Sequence, residues 1–368
     1  MKIDGKAYHT IWADSPTEGV VSVIDQRKLP FAFEICRLKT VEDIWLAIGD
    51  MAVRGAPLIG VTGAYGIWLA VRESSDVNWK AELIRQANYL KNARPTAVNL
   101  AILIDEVVTN ILTSPSKQAA ETMAYTEAER VKQREIEWSE AIGEWGKGLI
   151  SEISRKKNGE PVNILTHCNA GWLACIDWGT ATAPIYKAHR EGIPVHVWVD
   201  ETRPRNQGAR LTAWELAMEN VPHTIIPDNS GGHLMQHGQI DLCIVGSDRT
   251  TRTGDVANKI GTYLKALAAH DNQIPFWVAL PSSTIDFTMS NGIGEIPIEE
   301  RNGEEVRWME GETEAGVCSK FRIIPEQHAV ANYGFDVTPA RLVSGLITER
   351  GICNANAQSI KMLFPERE

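Results

Sequence analysis

Apolar residues in the first 150 positions recur mainly at helical spacing. Between residues 20 and 40 they alternate with polar residues, which predicts a small hairpin or meander. The helical pattern predicts segments that begin at Thr40 and Pro57 and others that cover residues 79–92, 95–112 and 117–150. We therefore expect the N-terminal part of the chain to be mainly helical.

The pattern changes after residues 155–161, a charged segment that contains glycine and proline and has no periodicity. Beyond it, short apolar runs alternate with helical segments at a spacing of about 30 residues, the length of one βαβ unit. The predicted strands are Val162–Leu165, Val195–Val199, Thr224–Ile226, Leu242–Val245 and Phe276–Ala279. We predict an α/β protein, with a mainly helical N-terminal domain and a small β element in residues 1–157. A Rossmann-like parallel-sheet domain is expected in 158–368, covered by helices on both faces.

Each predicted strand runs into a polar loop. Because ligands bind outside the carboxyl ends of strands in an open parallel sheet, these loops predict a polar cleft. Cys168 follows the first strand and Asp248 the fourth, so a thiol and a carboxylate are expected at this edge. Residues 292–316, rich in glutamate and glycine, are expected to form an excursion or hairpin.

Two arginines, Arg54 and Arg94, each precede a proline at the predicted start of a helix. A helix N-terminus offers free N–H donors and partial positive charge, and arginine adds a bidentate donor. Gly55 would allow close approach of the backbone to a ligand. The pattern indicates two phosphate or sugar contacts, and solvated arginines at helix starts are the alternative.

Further polar residues follow the predicted strands. Asn258 and Lys259 lie in residues 255–261, which are expected to continue the Asp248 loop into a helix. Lys259 could neutralise a phosphate and Asn258 could bind a hydroxyl. Gln207 has a comparable place after the second strand, and ordinary helix capping is an alternative for each of these residues.

The net charge of −10 argues against nonspecific binding to nucleic acid or anionic membranes. It leaves room for an anionic small molecule bound by a local cluster of basic residues. Six cysteines form no CxxC pair, which indicates reduced thiols in the cytoplasm. We find no apolar signal-peptide segment at Met1–Ile11.

Other chemistries are weakly supported. His167 and Cys168 are adjacent, and adjacent side chains in an extended segment point to opposite sides, so they make a poor catalytic dyad. His233 and His237 have helical i, i+4 spacing but no evident third ligand, which favours a capping or surface pair over zinc. Without a GxGxxG or Walker sequence, we predict neither a metal nor a cofactor.

Taken together, several segments resemble the methylthioribose-1-phosphate isomerases, which are related to the α, β and δ regulatory subunits of the translation-initiation guanine-nucleotide exchange factor. The match runs in consistent order from about residue 25 to 352 and is specific as a set. The segments that carry it are Val53–Pro57, Arg94–Leu100, Thr166–Gly171, Asp200–Pro204, Gln207–Ala213, Gly246–Arg249, Gly254–Tyr263 and Phe335–Ala340.

The resemblance implies an aldose–ketose isomerase of methionine salvage, converting 5-methylthioribose 1-phosphate into 5-methylthioribulose 1-phosphate. It implies that Asp248 is the proton donor and Cys168 assists catalysis. The positions that match substrate-binding residues are Arg54, Gly55, Ala56, Arg94, Gln207, Asn258 and Lys259. The family is usually dimeric and uses no cofactor. This chain departs from the family at Ser247, where alanine is usual, and in the bulky segment Trp172–Trp178.

Two alternatives stay open at this point. The same reaction on 5-deoxyribose 1-phosphate or ribose 1,5-bisphosphate would depend on the pocket for the 5-substituent. A non-catalytic regulatory subunit would not need the Cys168 and Asp248 pair, whose presence favours an enzyme.

Overall fold

The computed structural model describes residues 1–94 and 98–367. The chain begins with the strands β1 (Lys2–Ile3), β2 (Lys6–Ala7), β3 (Ile11–Ala13), β4 (Val21–Ile24) and β5 (Ile35–Leu38). β4 pairs with β3 and β5 in an antiparallel sheet. The meander predicted between residues 20 and 40 is therefore confirmed, with an additional strand before it.

Helices follow, as the apolar periodicity predicted. They are α1 (Val41–Gly49), α2 (Ala56–Glu73), α3 (Trp79–Lys91), α4 (Val98–Ile111) and α5 (Lys117–Lys156). Thr40 caps α1 by a capping box with Asp43, and the helix ends at Gly49. Every residue of α2 from Ala56 to Val71 is buried. Residues 95–97, where the fourth helix was predicted to begin, lie outside the described residues.

The C-terminal part contains the other strands and helices. The strands are β6 (Val162–Thr166), β7 (Val195–Asp200), β8 (His223–Ile226), β9 (Leu242–Val245), β10 (Arg249–Thr251), β11 (Val256–Lys259), β12 (Phe276–Ala279), β13 (Ile285–Asp286), β14 (Trp308–Glu312), β15 (Cys318–Arg322), β16 (Phe335–Thr338), β17 (Gly345–Thr348) and β18 (Gly351–Cys353). The helices are α6 (Ala183–Arg190), α7 (Ala213–Met218), α8 (Ser230–Gln236), α9 (Thr262–Asp271), α10 (Gly292–Glu295), α11 (Glu304–Arg307) and α12 (Ala357–Leu363).

The principal sheet has the order β18-β17-β12-β9-β6-β7-β8, and its neighbours are parallel except for the edge strand β18. All five strands predicted from the sequence belong to it. The chain moves outward from β6 through β7 to β8, and then returns to place β9 on the other side of β6. The strand order therefore reverses between β6 and β9, which is the switch point where ligands bind in such sheets.

Helices cover this sheet on both faces, as predicted. Side chains of α5 and α6 pack with Ile164 and Val197 on one face. Residues of α8, α9 and α12 pack with Leu165 and Val278 on the other. The change from helices to sheet falls between Lys156 and Val162, but α5 packs on the sheet, so the division into two domains at residue 157 stays a prediction.

A second sheet has the order β13-β10-β11-β16. Residues 255–261, expected to lead into a helix, instead contain strand β11, and α9 begins only at Thr262. That expectation was wrong because Val256–Lys259 pairs antiparallel with both Arg249–Thr250 and Phe335–Thr338. Pairing with a strand so distant in the chain leaves no local signal.

The excursion after residue 292 contains α10, α11 and the antiparallel hairpin of β14 and β15. Ion pairs attach it to the segment after β7: Arg205 to Glu305 at 2.9 Å and Arg210 to Glu310 at 3.0 Å. Among residues 1–94 and 98–367, no helix has the length and apolar character needed to cross a membrane.

Glu135 on α5 is completely buried. Burial raises the pKa of Glu135 to about 8, although the positive charge of Arg134, 3.9 Å away, opposes the shift. The folded protein therefore binds this proton more tightly than the unfolded chain. As a consequence, stability falls as pH rises from the ordinary glutamate value of 4.5 towards 8.

We predict that Glu135→Gln removes this pH dependence. Its stability relative to the wild type should increase between pH 5 and pH 8 by on the order of a few kcal/mol, since one pKa unit corresponds to about 1.4 kcal/mol. Thermal unfolding of both proteins at the two pH values measures the effect, with the exposed Glu137→Gln as control. If the difference in stability between Glu135→Gln and the wild type is the same at pH 5 and pH 8, the prediction is contradicted.

Candidate active site

One cleft lies at the switch point between β6 and β9. Every site residue predicted from the sequence lines it: Arg54, Gly55, Ala56, Arg94, Cys168, Gln207, Asp248, Asn258 and Lys259. Residues from both the helical part and the sheet part therefore meet around one space.

Cys168 follows β6 directly and is buried. Its φ is +67°, a left-handed conformation that is rare for a residue with a side chain and occurs most often at functional sites. Two hydroxyls hold it: the Cys168 N–H donates to Thr202 Oγ1 at 2.9 Å, and Thr212 Oγ1 donates to its carbonyl at 2.7 Å. The backbone at Cys168 is thus fixed by neighbouring loops.

His167 does not pair with Cys168, as predicted. Its ring atoms Nδ1 and Nε2 lie 2.8 Å from Asp200 and 2.8 Å from the carbonyl of Ile260. His167, Asp200 and Asp228 are close enough to suggest a metal site. The ammonium group of Lys265 contacts the Asp228 carbonyl and lies 3.3 Å from the Asp200 carboxylate, so a cation is already present there.

Apart from Gln207, the described residues of the loops after β7 and β8 support the cleft rather than line it. The Asp228 carboxylate accepts hydrogen bonds from the backbone N–H groups of Thr202 and Arg203, both at 2.7 Å. Gln207 does line the cleft, just before a π-helical turn at Gly208–Thr212, and its Oε1 has no partner among the described residues. His233 and His237 lie elsewhere and form a local pair, in which His237 Nδ1 is 2.7 Å from the His233 carbonyl.

Arg54 is buried and held by Asn169. Its Nη1 donates to Asn169 Oδ1 at 2.5 Å and its Nη2 to the Asn169 carbonyl at 2.6 Å. The contact between Arg54 and Asn169 was not predictable from the sequence, because the two residues are 115 positions apart. The guanidinium group has five N–H donors, so it can still bind an anion in the cleft.

Gly55 forms the N-terminal boundary of α2 with a φ of +94° and no side-chain cap. A Cβ atom there would lie 2.3 Å from the carbonyl oxygen of Ala174. Only glycine is compatible with both the positive φ and the close approach to Ala174. The N-terminus of the 18-residue helix α2 is thereby left open towards the cleft. Its free N–H groups favour an anion at this position.

Asp248 follows β9 and is half-buried; its N–H donates to the Ala257 carbonyl at 2.9 Å. Burial raises the pKa of Asp248, although the positive charges of Lys259, Arg94 and Arg54 oppose the shift. This carboxyl group therefore holds its proton at a higher pH than an exposed aspartate. Such a group is better suited than an exposed aspartate to act as a proton donor.

Lys259 enters the cleft from β11. Its Nζ donates to the carbonyl of Gly334 at 2.9 Å and lies 4.7 Å from the centre of the Phe335 ring. Burial lowers the pKa of Lys259, and the charges of Cys168 and Asp248 oppose this. Asn258 Nδ2 donates to Thr262 Oγ1 at 3.1 Å.

Arg94 reaches the cleft from the end of α3. Burial lowers its pKa, while the charges of Glu299 and Asp248 oppose the shift. Glu299 belongs to the excursion and lies 3.9 Å from Arg94 and 2.6 Å from Arg301. The contact between Arg94 and Glu299 was not predictable from the sequence, because the excursion has no regular pattern.

Comparison with known proteins finds relatives that match nearly the whole chain. The model of the initiation factor 2 subunit family matches residues 52–355. A methylthioribose-1-phosphate isomerase of Methylorubrum extorquens is 56% identical over 100% of this chain and 99% of its own length. Another, from Sinorhizobium medicae, is 57% identical over the full length of both proteins.

The chain belongs to the methylthioribose-1-phosphate isomerases of the initiation factor 2 subunit family. Solved structures share the fold over 98% of the chain. A 5-methylthioribose 1-phosphate isomerase of Pyrococcus horikoshii has a TM-score of 0.83 at 35% identity and is covered over 97% of its length. The eIF-2B delta subunit of A. fulgidus has a TM-score of 0.80 at 37% identity and is covered completely.

We predict that Gly55→Ala disrupts the cleft, because its Cβ would overlap the Ala174 backbone at a φ unfavourable to alanine. The expected loss of stability is at least about 1 kcal/mol. The control is Gly148→Ala on an exposed part of α5, where nothing lies within 4 Å of the new Cβ. Chemical denaturation should show Gly148→Ala to be as stable as the wild type or more so, and equal stability of the two variants would contradict this account.

Proposed function

We propose that this protein is an aldose–ketose isomerase that converts 5-methylthioribose 1-phosphate into 5-methylthioribulose 1-phosphate in methionine salvage. The names of its full-length relatives support the reaction. The observation that carries the proposal is the cleft itself, in which a carboxyl group of raised pKa lies among three cationic side chains.

We assign phosphate binding to the cations of the cleft. Arg54, Arg94 and Lys259 all act electrostatically on Asp248, which indicates that they surround the same space. The open N-terminus of α2, at Gly55 and Ala56, adds backbone donors. Gln207 and Asn258 supply polar groups for the sugar hydroxyls. A phosphate held in this way fixes the orientation of the sugar relative to Asp248.

Asp248 is the proposed proton donor. A sugar phosphorylated at C1 is locked as a ring, so its ring oxygen must be protonated before the hydrogen at C2 can move to C1. A shielded carboxylic acid is suited to this step. We assign to Cys168 the assisting role at C2, and the proposal covers both an enediol route and a hydride shift. Neither a metal nor a cofactor is required by this chemistry.

The remaining lining of the cleft supports an apolar 5-substituent. Its apolar members are Met51, Pro57, Ala170, Ala174, Pro281 and Phe335. Arg205 and Arg301 line a neighbouring pocket instead and are paired with Glu305. A second phosphate would need cations that are not already paired, so the lining favours a methylthio group over ribose 1,5-bisphosphate.

Turnover of three sugar phosphates in parallel tests the proposal: 5-methylthioribose 1-phosphate, 5-deoxyribose 1-phosphate and ribose 1,5-bisphosphate. We expect the highest kcat/KM for the first. Preference for another of the three would assign the chain to a different substrate. No turnover of any of them would favour the regulatory role indicated by the name of the A. fulgidus relative.

We further propose a cytoplasmic homodimer. All six cysteines are free, which fits a reducing compartment. Trp145 and Ile352 are exposed apolar residues beside the edge strand β18, and the Trp145 ring lies 4.0 Å from where a Cβ on Gly351 would be. An exposed edge of this kind is suited to pairing with a second copy.

Sedimentation equilibrium of the purified protein tests the homodimer. We expect a mass of twice 40.7 kDa at micromolar concentrations. A monomer under these conditions would contradict the proposal, while leaving the proposed reaction untouched.

We predict that Asp248→Asn lowers kcat by about 10²–10⁴-fold or more, because an amide cannot protonate the ring oxygen. Substrate binding should be largely preserved, since the cations remain. Steady-state kinetics and equilibrium binding of substrate measure the two effects, with the exposed Asp271→Asn as control. A folded Asp248→Asn protein with turnover like the wild type would rule out this role of Asp248.

A further inference from the structure

Glu215, on the short helix α7, accepts hydrogen bonds from four donors and is completely buried. Its Oε1 accepts from Asn169 Nδ2 at 2.9 Å and from the Leu173 N–H at 3.0 Å. Its Oε2 accepts from the Trp172 N–H and from the Tyr186 hydroxyl, both at 3.0 Å. The carboxylate therefore connects directly to the loop that carries Cys168 and Asn169.

We propose that Glu215 is a positioning residue, which keeps the Asn169 amide in the orientation that holds Arg54 in the cleft. The inference rests on the proposed function, in which Arg54 binds the substrate phosphate. Glu215 itself does not line the cleft. Its effect on the substrate passes through Asn169 and Arg54.

The orientation of the Asn169 amide decides whether it can bind Arg54. Its oxygen accepts from Arg54 Nη1, while its nitrogen donates to Glu215 Oε1 and, at 3.2 Å, to Thr212 Oγ1. A flipped amide would place its NH₂ group against the guanidinium, donor against donor. Glu215 opposes this flip, because its Oε1 already accepts a hydrogen bond from the Leu173 N–H and has no proton to donate to the amide oxygen.

The contact between Glu215 and the loop is closely fitted. A Cβ atom on Gly171 would lie only 1.7 Å from Glu215 Oε2, so the carboxylate lies directly against the backbone. Glutamine at position 215 has the same shape but places an amide nitrogen against two donors. Glu215→Gln thus changes the polarity of the contact with little change of volume.

The test measures kcat and KM of Glu215→Gln in two backgrounds, the wild type and Arg54→Ala. In the wild type we expect kcat/KM to fall by on the order of 10²-fold, the effect of a misplaced binding group. In Arg54→Ala the further loss should be less than about threefold, because residues that act through one another are not additive. An equal loss in both backgrounds, or no loss in the wild type, would overturn the inference.

Tyr186→Phe is the matched control, since it removes a donor from the same carboxylate on the side away from Asn169. It should keep kcat/KM within about threefold of the wild type. If Glu215→Gln does not fold, Asn169→Ala takes its place in the same two backgrounds, with the same outcomes. An inactive wild type would overturn the proposed function and the inference with it, whereas an active wild type with an equally active Glu215→Gln overturns the inference alone.

Discussion

The reversal of strand order between β6 and β9 is the constraint on which the site depends. The chain leaves these two neighbouring parallel strands in opposite lateral directions, so the loops at their carboxyl ends separate and leave a crevice. Cys168 follows one strand and Asp248 the other, and the N-terminus of α2 closes the crevice from the helical part. Neither part of the chain alone contains all the residues that line the cleft. The proposed reaction therefore needs both parts.

Burial and charge act against each other in this crevice. Burial favours the protonated form of Asp248, whereas the cations needed for a phosphate favour its ionised form. A bound phosphate would neutralise those cations and remove their opposition to the proton. In the proposed reaction, substrate binding and proton retention are therefore coupled, and Asp248 would be the most effective acid when the substrate is present.

The sequence predicted what local patterns can encode. Short apolar runs located the five central strands, and the polar residues after them located the site. The pairing of β11 with β16 was not predictable, because Asn258 and Asp336 are 78 positions apart (336 − 258) and periodicity has no information on such contacts. Residues 255–261 were assigned to a helix start for this reason.

Contacts between side chains that are distant in the chain were also not predictable from the sequence. The bond from Arg54 to Asn169 and the four donors around Glu215 depend on how α2, β6 and α7 pack together. The left-handed backbone of Cys168 is another case, since two hydroxyls from other loops hold a conformation that its own sequence disfavours. The sequence therefore indicated which residues form the site but not what holds them there.

A crystal structure of Asp248→Asn with bound 5-methylthioribose 1-phosphate would test the central claim most directly. We predict the phosphate on Arg54, Arg94 and Lys259, with the side chain of residue 248 within about 3 Å of the ring oxygen, the distance proton transfer requires. A phosphate bound instead by Arg205 and Arg301 in the neighbouring pocket, with residue 248 away from the ring oxygen, would contradict the account.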